Sequence, residues 1–204
     1  MLNDIPSRIQ LSLVADPFLG ALRFQFRVIS RLRGLWLRLR LRALGAHVGK
    51  RLSVGRGVQV ITSRGASWHI GDRVSLGTGV IISVSRGARL HLGNDTRISP
   101  YVMIGAEESI VLRDRASVGE HSSIRDHDHD TAALSMRWGG LVGSPVLIGE
   151  DCWIARGVAV LRGSRIGAGA IVGANAVVRG DIPDNAVAVG IPARVVRYRD
   201  IPAP

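Results

Sequence analysis

From Val48 onward an aliphatic residue returns every six positions, usually with a small residue behind it. The series runs Val54-Gly, Ile70-Gly-Asp, Leu76-Gly, Leu92-Gly-Asn and Ile98-Ser. After a break it resumes as Ile148-Gly, Ile154-Ala, Val160-Leu, Ile166-Gly, Val172-Gly and Val178-Arg. A step of six matches neither the 3.6-residue period of a helix nor the two-residue period of a strand. It predicts a solenoid whose coils each have three short, near-equivalent sides. A longer repeat agrees: SRGASWHIGD at 63–72 recurs as SRGARLHLGN at 85–94, 22 residues later, which reads as an 18-residue coil plus a four-residue corner insertion. Grouping by threes starts coils at Val48, Ile70, Leu92, Leu112, Ile148 and Ile166. Their stacked aliphatic residues form the predicted core, and the small residue after each lets the backbone turn tightly.

Two stretches depart from this period. Residues 130–145, DTAALSMRWGGLVGSP, lack the repeat and predict a loop thrown out of the solenoid, the kind of excursion from a rigid scaffold that carries function. At its root lies HSSIRDHDHD, 121–130, which holds three of the six histidines. The other stretch, DPFLGALRFQFRVISRLRGLWLRLRLR from Asp16 to Arg42, places arginines at 23, 27, 31, 38 and 42, aligned along one side of a helix. Leu22, Phe26, Ile29 and Trp36 fall largely off that line. Such a basic amphipathic segment suits a membrane surface or a partner, or it packs its apolar side on its own domain and leaves the arginines in water. Gly34 leaves open one unbroken helix or two shorter ones.

Composition narrows the class. The chain has 204 residues, 46% of them apolar but only 4% aromatic, so the core is built from Val, Ile, Leu and Ala. The 25 glycines punctuate an ordered fold. A single cysteine, Cys152, excludes an intrachain disulfide and a multi-cysteine metal cluster; a small buried thiol is the expectation for it. The formal net charge is +11, almost wholly arginine since Lys50 is the sole lysine, which suits an anionic partner. The N-terminus lacks a signal-peptide pattern, and no stretch reaches the roughly 18 apolar residues a membrane span needs. The expectation is a cytoplasmic protein, peripheral at the inner membrane face if the basic segment binds there.

These motifs, above all PVLIGEDCWIARGVAVLRGSRIGAGAIVGANAVVRGDIPDNAVAVGIPARVVR from Pro145 to Arg197, resemble the hexapeptide-repeat acyltransferases. The resemblance covers roughly 48–198 and is nearest to the galactoside and maltose O-acetyltransferases and the O-acetyltransferases that modify polysaccharides. It implies that this all-β solenoid is a left-handed parallel β-helix; together with the pattern of the rest of the chain, the expected organisation is a short basic helical segment at 1–45, the β-helix domain at 46–198 with the loop 130–145, and a tail at 199–204. It further implies a homotrimer with active sites between subunits, acetyl-CoA as acyl donor, and no metal.

The family's general base is a histidine at the root of the protruding loop. A sugar hydroxyl is scarcely ionised at neutral pH, and imidazole can take its proton as the oxygen attacks the thioester. Two family registers, five residues after Ile124 and sixteen before Pro145, both reach His129. His127 is the rival, since in Asp126-His127-Asp128-His129 either histidine can be the base while an aspartate, with Asp126 the candidate, orients the ring or holds the acceptor; His121 is read as structural. For the donor, Trp153 matches a tryptophan along the pantetheine path, and Arg156 stands where relatives offer a backbone N–H to the thioester carbonyl. Ala174 lies in a tight turn beside the pantetheine arm. Arg194 and Arg197 match residues that meet the CoA phosphates.

Rival functions are weaker on the residues. A γ-type carbonic anhydrase needs three zinc-binding imidazoles, with paired ligands five apart; here the steps are six, 121 to 127, and two, 127 to 129. A trimeric scaffold without activity leaves the histidine unexplained. Nucleic-acid binding accounts for the charge but lacks a recognition motif and a stacking platform. The expected acceptor is a sugar, either a lipid-linked surface or exopolysaccharide precursor met at the inner membrane through 1–45, or a soluble one.

Overall fold

The computed structural model describes residues 17–201; side chains are described at position 25 and from Val28 onward. The expected placements of Leu22, Arg23, Phe26 and Arg27 therefore lie outside the described side chains.

The three sides of each coil stack into three parallel sheets. The first face has seven strands, from His47–Val48 to Asp181–Ile182. The second has eight, from Ser53–Val54 to an antiparallel pair, Ala186–Gly190 and Ala193–Tyr198. The third has six, from Gln59–Thr62 to Val177–Val178. Register explains why a six-residue period makes a core. On the first face Val48, Ile70, Leu92, Leu112, Ile148 and Ile166 pair one above another, and Ile182 extends the column by one coil. Every one of these side chains is buried. Parallel columns run from Val54 to Val172 on the second face and from Val60 to Val178 on the third.

The residues after each aliphatic position also have a physical reason. Asp72, Asn94 and Asp114 each use Oδ1 to accept the backbone N–H of Lys50, Asp72 and Asn94, at 2.6, 2.8 and 2.8 Å. This ladder ties successive coils together at one corner. A Cβ at Gly71 would sit 2.7 Å from the backbone nitrogen of Asn94, so the glycine is what lets the coils stack. The four extra residues of the 22-residue coils do not form a corner insertion alone. They lengthen the strands on both sides of the turn, as in Gln59–Thr62 and Ser67–Ile70, around Gly65 at φ +82°. Cys152 is buried, its Sγ 2.8 Å from Gly167 O, and burial pushes its thiol up to about 11.

The N-terminal segment is one helix, α1, Pro17–Ala43, not two. Gly34 lies within it for a packing reason: a Cβ there would meet the Leu52 carbonyl oxygen at 1.9 Å, so only glycine lets α1 approach the first coil so closely. Leu37 and Leu41 are buried with Val48, Leu52 and Val54. Ser30 Oγ meets Ser53 Oγ at 3.1 Å, and the Arg42 guanidinium donates to Val48 O at 2.6 and 3.0 Å. A solenoid must cover the apolar ends of its stack, and α1 does so at the first coil.

Candidate active site

The chain leaves the third face after Ser123–Arg125 and enters a two-stranded excursion, His127–His129 paired antiparallel with Leu141–Gly143. The strict repeat returns at Val146–Ile148. The excursion thus starts three residues before the expected loop and ties its own base into a hairpin.

Asp126 stands at the exit point and is fully buried. Its Oδ1 accepts the Glu107 N–H at 2.8 Å and its Oδ2 accepts the Glu108 N–H at 2.9 Å. The same Oδ1 lies 3.1 Å from His127 Nδ1. With both oxygens already accepting backbone N–H groups, Asp126 also presents Oδ1 to His127 Nδ1 as the acceptor of a third hydrogen bond. With Nδ1 as the donor in that contact, Nε2 is the nitrogen left to accept a proton. The ring lies over Gly105, where a Cβ would come within 3.3 Å of Cε1, and its side chain is 16% exposed. His127 is therefore oriented, mostly enclosed and open at one nitrogen.

His129 lies two residues further along the hairpin opposite Leu141, exposed. Between them Asp128 pairs with Arg162, Nε to Oδ2 2.8 Å. His121 sits at a coil corner with φ +60° and stacks on Tyr101, centroids 5.2 Å apart. Among the described residues, no three His, Cys, Asp or Glu side chains are grouped to hold a metal ion.

A groove of about 710 Å³ runs across the second face and its two corners. Trp153, Arg156 and Ala174 all line it, so three positions spread over 22 residues of sequence are brought together. Trp153 faces outward while its neighbour Ile154 is buried. Arg156 is held near Glu120, Nε to Oε1 3.5 Å, and its backbone N–H donates to no backbone carbonyl among the described residues. Sequence reasoning missed Arg97 and Arg115, which add positive charge to the same groove. The signal for Arg97 was present: it precedes an inward aliphatic residue as Trp153 does, and both share the outward register position of this face through Ser117. Arg194 and Arg197 lie on the last strand, Ala193–Tyr198, paired with Val189 and Val187. They continue the same face but do not line the groove.

His127 and the groove do not meet within one chain. Every groove residue belongs to the second face or its corners, and none comes from the third face or the excursion.

Comparison with known proteins adds to this geometry. Residues 145–180 match the bacterial transferase hexapeptide (six repeats) family. The chain is 36% identical over 104 residues to Rv3034c of Mycobacterium tuberculosis (strain ATCC 25618 / H37Rv), named a probable acetyltransferase. It is 30% identical over 112 residues to WbbJ of Escherichia coli (strain K12), named for an O-acetyl transferase role in lipopolysaccharide biosynthesis. These alignments take in 51% and 50% of this chain but only 33% and 56% of the two relatives. The crystal structure of a hexapeptide-repeat acetyltransferase, VCA0836 of Vibrio cholerae O1 biovar eltor, complexed with acetyl coenzyme A, matches with a TM-score of 0.58. That match has 22% identity and covers 92% of this chain and 90% of that one. The solenoid is thus the left-handed β-helix of such acetyltransferases.

Proposed function

We propose that this chain, whose residues 145–180 match the hexapeptide transferase family and whose fold is shared with a hexapeptide-repeat acetyltransferase, is an acyl-CoA-dependent O-acetyltransferase that moves an acetyl group from acetyl-CoA to a saccharide hydroxyl. The observation that carries the reading is the buried Asp126 holding His127 Nδ1 at 3.1 Å. It supports His127 as the base, in place of the register expectation for His129, whose ring has no comparable partner among the described residues.

On this reading His127 Nε2 takes the proton of the acceptor hydroxyl as its oxygen attacks the thioester carbonyl. The carbonyl oxygen gains charge, which on this reading the Arg156 N–H, lining the groove without a backbone partner among the described residues, receives. The tetrahedral intermediate then collapses, the C–S bond breaks, and the imidazolium returns its proton to the leaving sulfur. Acetyl-CoA lies along the groove past Trp153 and Ala174. Arg97 and Arg115, with Arg194 and Arg197 further along the face, are the cations for its phosphates.

A base on one side of the prism and a donor groove on another need a second copy of the chain to meet. This supports a homotrimer with each site shared between neighbours. The acceptor on this reading is a surface or exopolysaccharide precursor, a class that the likeness to WbbJ supports, met on the cytoplasmic side of the membrane; a soluble sugar is the alternative.

The test is CoA release with a panel of saccharide acceptors for wild type, His127→Ala and His129→Ala. Loss of about 10²–10⁴-fold in His127→Ala, with acetyl-CoA binding retained, is the expected result. Full activity in His127→Ala with loss in His129→Ala would return the role to His129, and full activity in both would remove the base from this hairpin.

A further inference from the structure

Helix α1 has an outward face that the solenoid leaves bare. Its inward face is narrow: Ser30, Gly34, Leu37 and Leu41 meet the first coil. At about 100° per residue, the opposite side carries Val28, Ile29, Leu32, Leu35, Trp36 and Leu39 in one sector about 120° wide. All six are exposed, Leu32, Trp36 and Leu39 by 61, 62 and 61%. Arginines border this sector on both edges, Arg33 and Arg40 on one, Arg31 and Arg38 on the other. Arg40 lies over the Trp36 ring, 5.5 Å from its centroid. Pro17–Ala43 contains seven arginines and no acidic residue.

We infer that this face of α1 docks the protein in the plane of a membrane surface rich in anionic headgroups. Three observations choose this occupant. The helix cannot roll to bury its apolar sector on its own domain, because Gly34 lies against the Leu52 carbonyl and Arg42 is tied to Val48 O. A second copy of α1 packed against the sector would bring arginine borders to arginine borders with no carboxylate on either helix. An apolar sector flanked by arginines, with a Trp at its margin, instead matches the layering of acyl chains beneath anionic headgroups. No described helix is long and apolar enough to cross a membrane, so the contact lies along the surface. The inference stands apart from the acyltransfer chemistry, and its test uses neither donor nor acceptor.

The full chain is sedimented with phosphatidylcholine vesicles and with vesicles one third phosphatidylglycerol. Wild type is expected to pellet with the anionic vesicles, and less so as salt rises. Leu32→Gln/Leu39→Gln keeps every charge, touches no core residue, and is expected to stay in solution. Arg31→Gln/Arg33→Gln is expected to weaken partition by about 25-fold, about fivefold per arginine. Wild type remaining in solution with anionic vesicles overturns the inference. So does equal pelleting of Leu32→Gln/Leu39→Gln, which would assign the binding to general charge. A drop in molecular mass by light scattering in that variant, without vesicle binding by wild type, would hand the face to a neighbouring copy of the chain.

Discussion

Replacing Asp126 by Asn separates orientation of the base from packing. The carboxylate receives three donors on two oxygens: the N–H groups of Glu107 and Glu108 and His127 Nδ1. Asn keeps one acceptor oxygen and turns the other into an NH₂ that meets a donor head-on. One buried N–H then loses its partner, at about 1–3 kcal/mol, and the remaining bonds lose their charge assistance. The total is a destabilisation of about 3 kcal/mol, which for a chain of this size lowers Tm by roughly 6–12 °C. The catalytic effect is separate: without the carboxylate, His127 has nothing to fix its tautomer or hold its ring. The expected fall in kcat is about 10²-fold or more, while KM for acetyl-CoA holds, because the groove lies on another face. Thermal melts by circular dichroism and CoA release followed by a thiol reagent measure the two effects below the new Tm. A variant that melts lower but keeps kcat within about threefold of wild type would falsify the positioning role and leave Asp126 a purely structural residue.

Two other places in the fold give further predictions. Gly105→Ala places a methyl 3.3 Å from His127 Cε1, so the ring must shift by a few tenths of an ångström; kcat is expected to fall about tenfold with little change in Tm, since a misplaced catalytic group costs rate steeply. His47, His69 and His91 form a stacked column on the first face, with centroids 4.4 and 4.3 Å apart. Burial and then the neighbouring imidazoles His91 and His47 hold His69 below the ordinary histidine range; burial does the same for His91, with Asp114 opposing. The folded-state values of His69 and His91 are depressed, so the unfolded chain binds more protons at these two residues below about pH 6.5, and their contribution is present above that pH and lost as pH falls. Melts at pH 7.5 and 5.5 should show His69→Gln losing less stability on acidification than wild type, and equal losses would refute the assignment.

Much of the solenoid was legible because its core is written locally. Each inward position of a coil follows the last by about six residues, so the columns from Val48 to Ile166 could be read from spacing alone, with Ile182 the one coil start passed over. The groove was half legible. Trp153, Arg156 and Ala174 came through the resemblance, whereas Arg97 and Arg115 required knowing which outward positions share a face.

The histidines resisted for a different reason. Two registers pointed to His129, but they count along a segment without the repeat and carry no information on what lies opposite. The choice of Asp126 as a buried carboxylate rests on N–H groups at Glu107 and Glu108, one coil away. Helix α1 shows the same division: its arginine spacing foretold an amphipathic segment, yet the inward face was set by Gly34 fitting under Leu52 O, which turned Trp36 and Leu39 outward. Periodicity determined the coil, because stacking repeats one environment at fixed steps. Only the tertiary structure decided the site and the bare helix face, because burial of a single polar or small residue depends on neighbours that the period does not place.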